Sequence, residues 1–388
     1  MDKKWRYTEQ ETVVELPEEI VREIMLRLPV KSLLRLKTAR KSWYSIINCY
    51  EFIKQHLNLA RAAHYNQHKG LLGLLIDHNH ASYPCVVHKE DSEGILHAKG
   101  FDFPYRFFVG HENEYPISIC NSCDGLICFD ISRDHKILIW NPSIPTEYKI
   151  IQSQPISDVD SVAIGYDPNS DDYKIIKVPS KCAIGEDKVS VEIFSLKSNS
   201  WRSKRISKRA VFYSNTYGMI YAKNGLHWIA SEFNKEDEKI TECIIYFDLV
   251  EEVLGYMKLP SEILFSVVMN YKDSIAIVGQ CSEGWRQELW VLEDGCGMKC
   301  TWNKILCFDS ITDHFFFCRS FTWNGEILLR TMEGQLSKYD TKDGTFKHVV
   351  VQGDKFAYDK KGSYNSLCAS PYIESLVSPR QFAVGEIE

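Results

Sequence analysis

The sequence predicts a mainly β protein with a small helical domain at its N-terminus. Near the N-terminus, apolar residues recur at every fourth position, which is typical of a helix. Beyond about residue 65, short apolar runs alternate with polar residues and are separated by tight-turn dipeptides such as Asp124-Gly125 and Asn224-Gly225. Aromatic residues make up 12% of the chain, a content that favours sheet.

Length and charge indicate two domains of different character. The chain has 388 residues, and we expect a helical head over residues 12–60 and a β-rich body over residues 65–380. The first 62 residues hold 12 Lys and Arg against 8 Asp and Glu, a net charge of +4, whereas the remainder holds 34 against 44, a net charge of −10. An acidic body argues against nucleic acid as its partner and suits a basic protein, while the head suits an acidic one.

The sequence also predicts where the protein resides. No apolar run approaches the ~20 residues that cross a bilayer, and residues 1–15 are charged throughout, without an apolar stretch for secretion. We therefore expect a protein of the cytoplasm or the nucleus with no membrane partner. The 13 cysteines are scattered and odd in number, which favours free thiols in a reducing compartment.

The head is predicted to contain three or four short helices. The first carries an apolar stripe at a spacing of four residues, formed by Leu16, Ile20, Ile24 and Leu28. Pro17 suits its first turn and Pro29 its end; a second helix covers residues 30–37, a third contains Trp43, and a fourth segment covers residues 52–57. So small a unit buries little surface. Its surplus of apolar positions therefore predicts a surface that another protein covers.

The string LPEEIVREIMLRLPVKSLLRLKTARKSWYSIIN, residues 16–48, resembles the F-box, which docks a substrate receptor onto the Skp adaptor of an SCF ubiquitin ligase. The family often has Cys-Val-Ser where this chain has Thr38-Ala39-Arg40, which predicts a somewhat lower adaptor affinity. The competing interpretation is a plain helical domain with ordinary core residues. The resemblance implies that ten residues bind the adaptor: Leu16, Pro17, Ile20, Ile24, Leu28, Pro29, Val30, Leu33, Leu34 and Trp43.

A repeat is visible in the body. Five strands end in an aromatic residue followed by a polar turn, at Trp140, Phe194, Phe247, Trp290 and Tyr339. Their intervals are 54, 53, 43 and 49 residues, close to the ~50 residues of a kelch-type blade. We therefore predict a kelch-like β-propeller of about six blades. The alternative is a set of β-sandwich domains whose spacing is a coincidence.

The body also resembles the F-box-associated (FBA) domain of plants. Matching phrases follow in the expected order: CDGLI at 123–127, WNPS at 140–143, GYDP at 165–168, DYK at 172–174, VEIF at 191–194, NSWR at 199–202, LHW at 226–228, FDL at 247–249 and YIESL at 372–376. Within this family the likeness is strongest to the S-locus F-box proteins of pollen and their S-locus-like relatives. That resemblance implies recognition of non-self S-RNases, which are basic proteins, in self-incompatibility.

The resemblance as a whole implies the substrate-recognition subunit of a ubiquitin ligase. The head would bind the Skp adaptor, and through it a cullin and a RING subunit, while the body binds a target protein. We therefore expect a non-catalytic protein without a cofactor, because a separate conjugating enzyme performs the chemistry on a target held nearby. The residues that bind the target are not identified by the sequence.

Motifs for catalysis or metal binding are weak. Cys120-x-x-Cys123 has the spacing of a redox pair or half a zinc site, but Cys296 and Cys300 do not supply a convincing second half. Two histidines within residues 77–80 favour a polar turn over a metal site. The chain lacks a Gly-x-Ser-x-Gly elbow, a P-loop, a dinucleotide fingerprint and a HECT or RING pattern.

Two other functions stay open beside the ligase receptor. One is an F-box scaffold or inhibitor that acts outside a ligase. The other is a β-propeller enzyme, which would need metal ligands or carboxylates that converge at a central channel, and the sequence offers no ordered set of these. The basic run 197–209 suits either an acidic partner or a solvated hairpin at a blade edge, and the hairpin is favoured.

Overall fold

A computed structural model gives the fold of the protein. It describes the helices of the head, the strands of the body and a C-terminal segment. The described residues are 16–67, 74–75, 85–90, 96–100, 118–131, 134–155, 160–179, 188–207, 212–214, 219–234, 239–260, 263–271, 274–281, 286–294, 300–309, 317–321, 327–330, 336–340, 343–348, 351–352 and 372–381.

Four helices form the head: α1 (Glu18–Leu26), α2 (Val30–Leu36), α3 (Lys41–Asn48) and α4 (Tyr50–Gln67). Pro17 and Pro29 directly precede α1 and α2 in extended conformations. Proline restricts the residue before it to extended backbone, and the first helix accordingly ends at Leu26, before Pro29 is reached. Among the described helices, none is both long and apolar enough to span a bilayer.

The head packs around α4. This helix contacts both α1 and α3, and its Phe52 and Leu57 are buried together with Leu33 of α2 and Ile47 of α3. Burying side chains of this size contributes roughly 1.5–3 kcal/mol each. The four helices therefore bury their apolar residues together, in a cluster that continues into the body.

The described strands of the body form six antiparallel sheets, with one parallel pair in the first. Sheet 1 contains β1 (Leu74–Leu75), β2 (Cys85–Glu90), β3 (Leu96–Gly100) and β25 (Val351–Gln352). Sheet 2 contains β4 (Ser118–Cys123), β5 (Leu126–Ile131), β6 (Lys136–Trp140) and β7 (Tyr148–Gln152). Sheet 3 contains β8 (Asp160–Asp167), β9 (Asp172–Pro179), β10 (Lys188–Ser195) and β11 (Ser200–Ser207).

The remaining three sheets follow the same order along the chain. Sheet 4 contains β12 (Phe212–Ser214), β13 (Ile220–Ala222), β14 (Gly225–Asn234), β15 (Lys239–Asp248) and β16 (Val253–Lys258). Sheet 5 contains β17 (Ile263–Tyr271), β18 (Ser274–Cys281), β19 (Arg286–Asp294) and β20 (Thr301–Asp309). Sheet 6 contains β21 (Phe317–Phe321), β22 (Ile327–Arg330), β23 (Leu336–Asp340) and β24 (Thr345–His348).

The five repeat residues occupy equivalent positions. Trp140, Phe194, Phe247, Trp290 and Tyr339 lie on β6, β10, β15, β19 and β23, each the third strand along the hydrogen-bonded order of its sheet. Neighbouring sheets meet mainly through their first strands, as β4 does with β8 and β17 with β21. Repetition of this kind around an axis produces a β-propeller-like body. The predicted fold class is therefore confirmed, and the six described sheets agree with about six blades.

Two late segments of the chain close the body. β25 pairs in parallel with β3, so sheet 1 combines residues from both ends of the body. Farther on, the C-terminal segment, residues 372–381, lies against sheet 2. The buried Asn141 amide nitrogen donates to the carbonyl oxygens of Ser375 at 3.0 Å and Val377 at 2.8 Å, and its oxygen accepts from the Tyr372 hydroxyl at 3.0 Å. One asparagine thus satisfies backbone groups more than 230 residues away along the chain.

We expect acid to weaken the body through His227 on β14. This ring is buried and stacks on Tyr246 at 5.7 Å, and burial lowers the pKa of His227 from 6.5 to about 4. Between these two pKa values the histidine is protonated in the unfolded chain and neutral in the folded chain. The free energy of unfolding therefore falls as the pH falls. From pH 7.5 to pH 5 the loss from this group should be about 2 kcal/mol.

Urea denaturation at the two pH values checks this expectation, with His227→Gln as the matched variant that cannot titrate. The wild type should lose about 2 kcal/mol more than the variant on acidification. Equal losses in the two proteins would contradict the assignment.

Candidate interaction surface

The surface of the head carries an unusual row of exposed apolar side chains. Leu16, Ile20 and Ile24 are 56%, 48% and 49% exposed. Their spacing of four residues places them on one face, running from just before α1 along the helix. The opposite side of the same helix buries Met25 and Leu26 in the core of the head. The helix therefore has one face for its own core and a second apolar face that remains open to a partner.

Tyr44 on α3 extends the apolar character of the surface and was missed in the sequence. Its ring is 56% exposed, whereas the adjacent Trp43 is partly buried against the core of the head. The signal that could have found it is the period of α3, in which Trp43 and Ile47 face inward and Tyr44 cannot share that side. Exposed aromatic rings are typical of protein interfaces.

The ten predicted adaptor residues differ in exposure. Leu16, Pro17, Ile20, Ile24 and Pro29 are exposed, and Leu28, Leu34 and Trp43 are partly buried. Val30 and Leu33 are buried in the head. These last two support the surface from beneath, because a side chain without accessible area makes no direct contact until the head rearranges. As adaptor contacts, all ten remain a prediction.

Basic side chains are also exposed on the head. Lys31, Arg35, Arg40 and Lys41 are exposed on α2, on α3 and in the turn between them, and the Arg40 guanidinium lies 5.3 Å from the centre of the Trp43 ring. Burial lowers the pKa of the nearby Lys37, an effect that Glu147 of the body partly offsets. The combination of open apolar residues and positive charge suits a partner with an apolar groove and an acidic rim.

Cys120 and Cys123, which the sequence singled out, have environments that favour the protonated thiol. Cys123 is buried, and burial followed by the charge of Asp124 raises the pKa of its thiol well above the ordinary value. A hydrogen bond with Cys128, followed by burial, does the same to the pKa of Cys120. Because the thiolate is the nucleophile and metal ligand, both shifts oppose reactivity. In the described ranges there is also no group of three or more metal-ligating side chains, while Cys296 and residues 77–80 lie outside them.

The head covers one end of the strands of sheets 2 and 3. Arg61 of α4 reaches the turn between β4 and β5, and Tyr50 reaches the turn between β8 and β9. Because antiparallel strands alternate in direction, the C-terminal ends of β5 and β9 lie at the opposite, distal end. The distal end therefore remains free of the described part of the head, although several of its connections fall outside the described residues.

An exposed apolar helix face on a helical head, attached to a β-propeller-like body, is typical of a protein that docks onto a partner. Two protein-family models match this arrangement: the F-box domain over residues 14–55 and the F-box associated beta propeller domain over residues 100–379. The second match covers more than half of the chain. The chain belongs to the family of proteins with an F-box associated β-propeller domain.

Similar proteins agree with this family. F-box/kelch-repeat protein At3g23880 of Arabidopsis thaliana is 24% identical over 376 residues, which cover 94% of this chain and 96% of that protein. F-box/WD-40 repeat-containing protein 1 of Arabidopsis thaliana is 26% identical over 302 residues, 75% of this chain and 68% of that protein. Among solved structures, a chain of the nidogen/laminin complex has a TM-score of 0.45 at 11% identity, over 78% of this chain and 99% of that one. That score is too low for a functional comparison.

The pair of domains supports a role in substrate recognition by an SCF ubiquitin ligase, a role in which the F-box binds a Skp adaptor. The names of these relatives describe F-box proteins and contain no S-locus assignment. The S-locus likeness therefore belongs among the proposals.

Proposed function

We propose that this protein is the substrate-recognition subunit of an SCF ubiquitin ligase. The head binds the Skp adaptor, which connects it to the cullin and the RING subunit, and the body holds a target protein for ubiquitination and proteasomal degradation. The observation that carries the proposal is the exposed row of Leu16, Ile20 and Ile24. A head of this size has little reason to leave three large aliphatic side chains in water unless a partner covers them.

The target is a basic protein that binds at the distal end of the sheets. The net charge of −10 beyond residue 62 supports a basic target, because opposite charge accelerates encounter and disfavours acidic competitors. The head occupies the other end of sheets 2 and 3, which supports the distal location. The narrower form of the proposal is an S-locus receptor whose target is a secreted, basic S-RNase, as the sequence likeness implies.

The protein itself contributes binding and orientation rather than chemistry. A target held beside a charged conjugating enzyme reacts at a high effective concentration, and this proximity is the source of the rate. The protein works in the cytoplasm or nucleus, where adaptor, cullin and proteasome meet their targets.

The direct test combines Ile20→Asp with Ile24→Asp in the full chain. Both side chains are about half exposed, so the melting temperature should stay within ~2 °C of the wild type. Two carboxylates buried against an apolar groove should weaken binding to purified Skp adaptor at least about 100-fold. Titration calorimetry measures the affinity, and Val253→Asp, the same change at an exposed apolar residue of the body, is the control.

The control should bind the adaptor like the wild type. A folded wild-type protein without adaptor affinity, or a double variant that binds normally, would refute the proposed docking surface. Mass spectrometry of proteins that co-purify with the adaptor complex then tests the target class. Recovery of a basic ribonuclease supports the S-locus form, and exclusively acidic targets contradict the charge argument.

A further inference from the structure

Helix α4 has two chemically distinct sides. Phe52 and Ile53 are buried in the apolar cluster that includes the core of the head. Tyr50, Lys54 and Arg61, spaced by four and seven residues, share another side and all bond to the body. The helix therefore belongs to the head through its apolar side and to the body through its polar side.

The strongest of these bonds joins Arg61 to Asp124. The guanidinium donates from Nε to Oδ1 at 2.8 Å and from Nη2 to Oδ2 at 2.5 Å, an arrangement with two parallel bonds. The Asp124 side chain is almost completely buried and the Arg61 side chain is about one quarter exposed. The Arg61 guanidinium also lies 5.8 Å from the centre of the Tyr166 ring. A paired, largely buried contact of this geometry holds its partners at a defined distance and angle.

Asp124 is itself fixed by two further hydrogen bonds from the body. The Tyr173 hydroxyl donates to its Oδ2 at 2.9 Å, and the Ser375 hydroxyl donates to its backbone oxygen at 2.5 Å. Asp124 and Gly125 both adopt positive φ, at 53° and 85°. A Cβ on Gly125 would lie 2.5 Å from the Ser375 hydroxyl oxygen, so glycine is required where the C-terminal segment meets the turn. Three distant parts of the chain, at Arg61, Tyr173 and Ser375, thus converge on one aspartate.

A second attachment lies on the neighbouring sheet. Asp171, in the turn between β8 and β9, accepts hydrogen bonds from the hydroxyls of Tyr50 and Tyr166 and forms an ion pair with Lys54 at 3.3 Å. Burial would raise the pKa of Asp171, but these hydrogen bonds outweigh it and hold the pKa below the ordinary value. Two attachments on different sheets restrict rotation about either one.

Apolar packing continues across the same boundary. One cluster of buried residues includes Met25 and Phe52 of the head together with Cys123, Leu126 and Leu376 of the body. Apolar contact has no preferred direction, whereas the two polar attachments do. The polar attachments therefore select one orientation among those that the apolar contact would permit.

We propose that Arg61 and Asp124, supported by Lys54, Tyr50 and Asp171, form a joint that fixes the angle between head and body and so positions the target for ubiquitin transfer. The role of the joint in ubiquitin transfer rests on the proposed ligase function. The fixed angle between head and body does not, because it is a property of the isolated chain. Arg61 and Asp124 act as positioning residues: they touch neither adaptor nor target in this role.

The first test is small-angle X-ray scattering on the isolated full chain. The variant Lys54→Met/Arg61→Met removes both cations of α4 and leaves the apolar cluster intact. The wild type should fit one arrangement of head and body, and the variant should show a larger radius of gyration and a broader pair-distance distribution. Arg61→Lys should lie between them, because lysine keeps the charge and loses the paired geometry. The control is Lys188→Met/Arg205→Met on exposed strand positions of sheet 3.

The second test measures ubiquitin transfer in a reconstituted ligase, with the lysines of the receptor's own body as acceptors. The wild type should modify a narrow set of body lysines. The joint variant should modify a wider set at a rate lower on the order of tenfold, with unchanged adaptor affinity. A wild-type protein that does not bind the adaptor would refute the proposed function. The scattering experiment would then still show whether the joint fixes the angle between head and body. The proposed joint would be refuted if the variant and the wild type scatter identically. It would also be refuted if the wild type already has a broad pair-distance distribution.

Discussion

A chain that stops after Pro371 is expected not to fold. Such a truncation removes the buried Tyr372, Leu376 and Val377, each contributing roughly 1.5–3 kcal/mol of apolar burial. It also removes the partners of the buried Asn141 amide nitrogen, the carbonyl oxygens of Ser375 and Val377, and an orphaned buried polar group costs about 1–3 kcal/mol. The total reaches the ~5–15 kcal/mol that stabilises a typical protein, so the body should not survive the loss.

The soluble fraction after expression and the near-ultraviolet circular dichroism of the purified chain measure this effect. A chain that stops after Gln381 is the matched control, since it retains the described C-terminal segment. It should be soluble and give the wild-type spectrum. A truncated chain that melts at the wild-type temperature would show that residues 372–381 are dispensable and that Asn141 finds other partners.

Replacement of Lys174 by Met is expected to destabilise the body by about 3 kcal/mol. The buried ammonium group on β9 pairs with Asp167 at 2.7 Å and Glu252 at 2.9 Å, and it donates to the Leu249 carbonyl oxygen at 2.8 Å. Burial alone would lower the pKa of Lys174, but the bonds to the two carboxylates outweigh it and raise the pKa. Without the lysine, Asp167 loses its cation and Glu252 keeps only its pairs with Arg202 and Lys204 of sheet 3, so both carboxylates remain with less compensation.

Differential scanning calorimetry should show a melting temperature lower by about 5–10 °C in Lys174→Met. The control is Lys347→Met, which breaks a pair with Asp340 at 3.5 Å at a side chain that is half exposed. Exposed pairs contribute less than about 1 kcal/mol. Equal melting temperatures for the two variants would mean that the buried network contributes no more than an exposed pair.

Local patterns predicted the elements because each depends on neighbouring residues. The dipeptide Asp124-Gly125 has the two positive φ angles that the sequence predicts, and Gly344 has one in sheet 6. At the Asn224-Gly225 dipeptide, the two positive φ angles lie one residue earlier, at Lys223 and Asn224. The dipeptide at 324–325 lies outside the described residues. The basic run after residue 196 begins in the turn that leads to β11, the outermost strand of sheet 3, where a blade-edge hairpin was favoured.

Contacts between distant residues could not be predicted in this way. The phrases at 123–127 and 372–376 were recognisable as a resemblance, yet nothing in either indicates that Ser375 bonds to Asp124. The sequence likewise gives no sign that Arg61 bonds to Asp124, because its position is typical of an exposed basic residue on a helix. Such pairs depend on how strands separated by hundreds of residues come together, and one sequence contains no record of that pairing.

The closure of the body also determines when it can form during synthesis. Synthesis of the head is finished at Gln67. Sheet 1 can be completed only after β25 has been synthesised, and sheet 2 only after residues 372–381. At a translation rate of about 5–20 residues per second, roughly 15–60 s separate the two events. The helical head therefore leaves the ribosome and can meet its adaptor while strands of the body are still unpaired. Over that interval, chaperones must protect the exposed strands of the nascent chain.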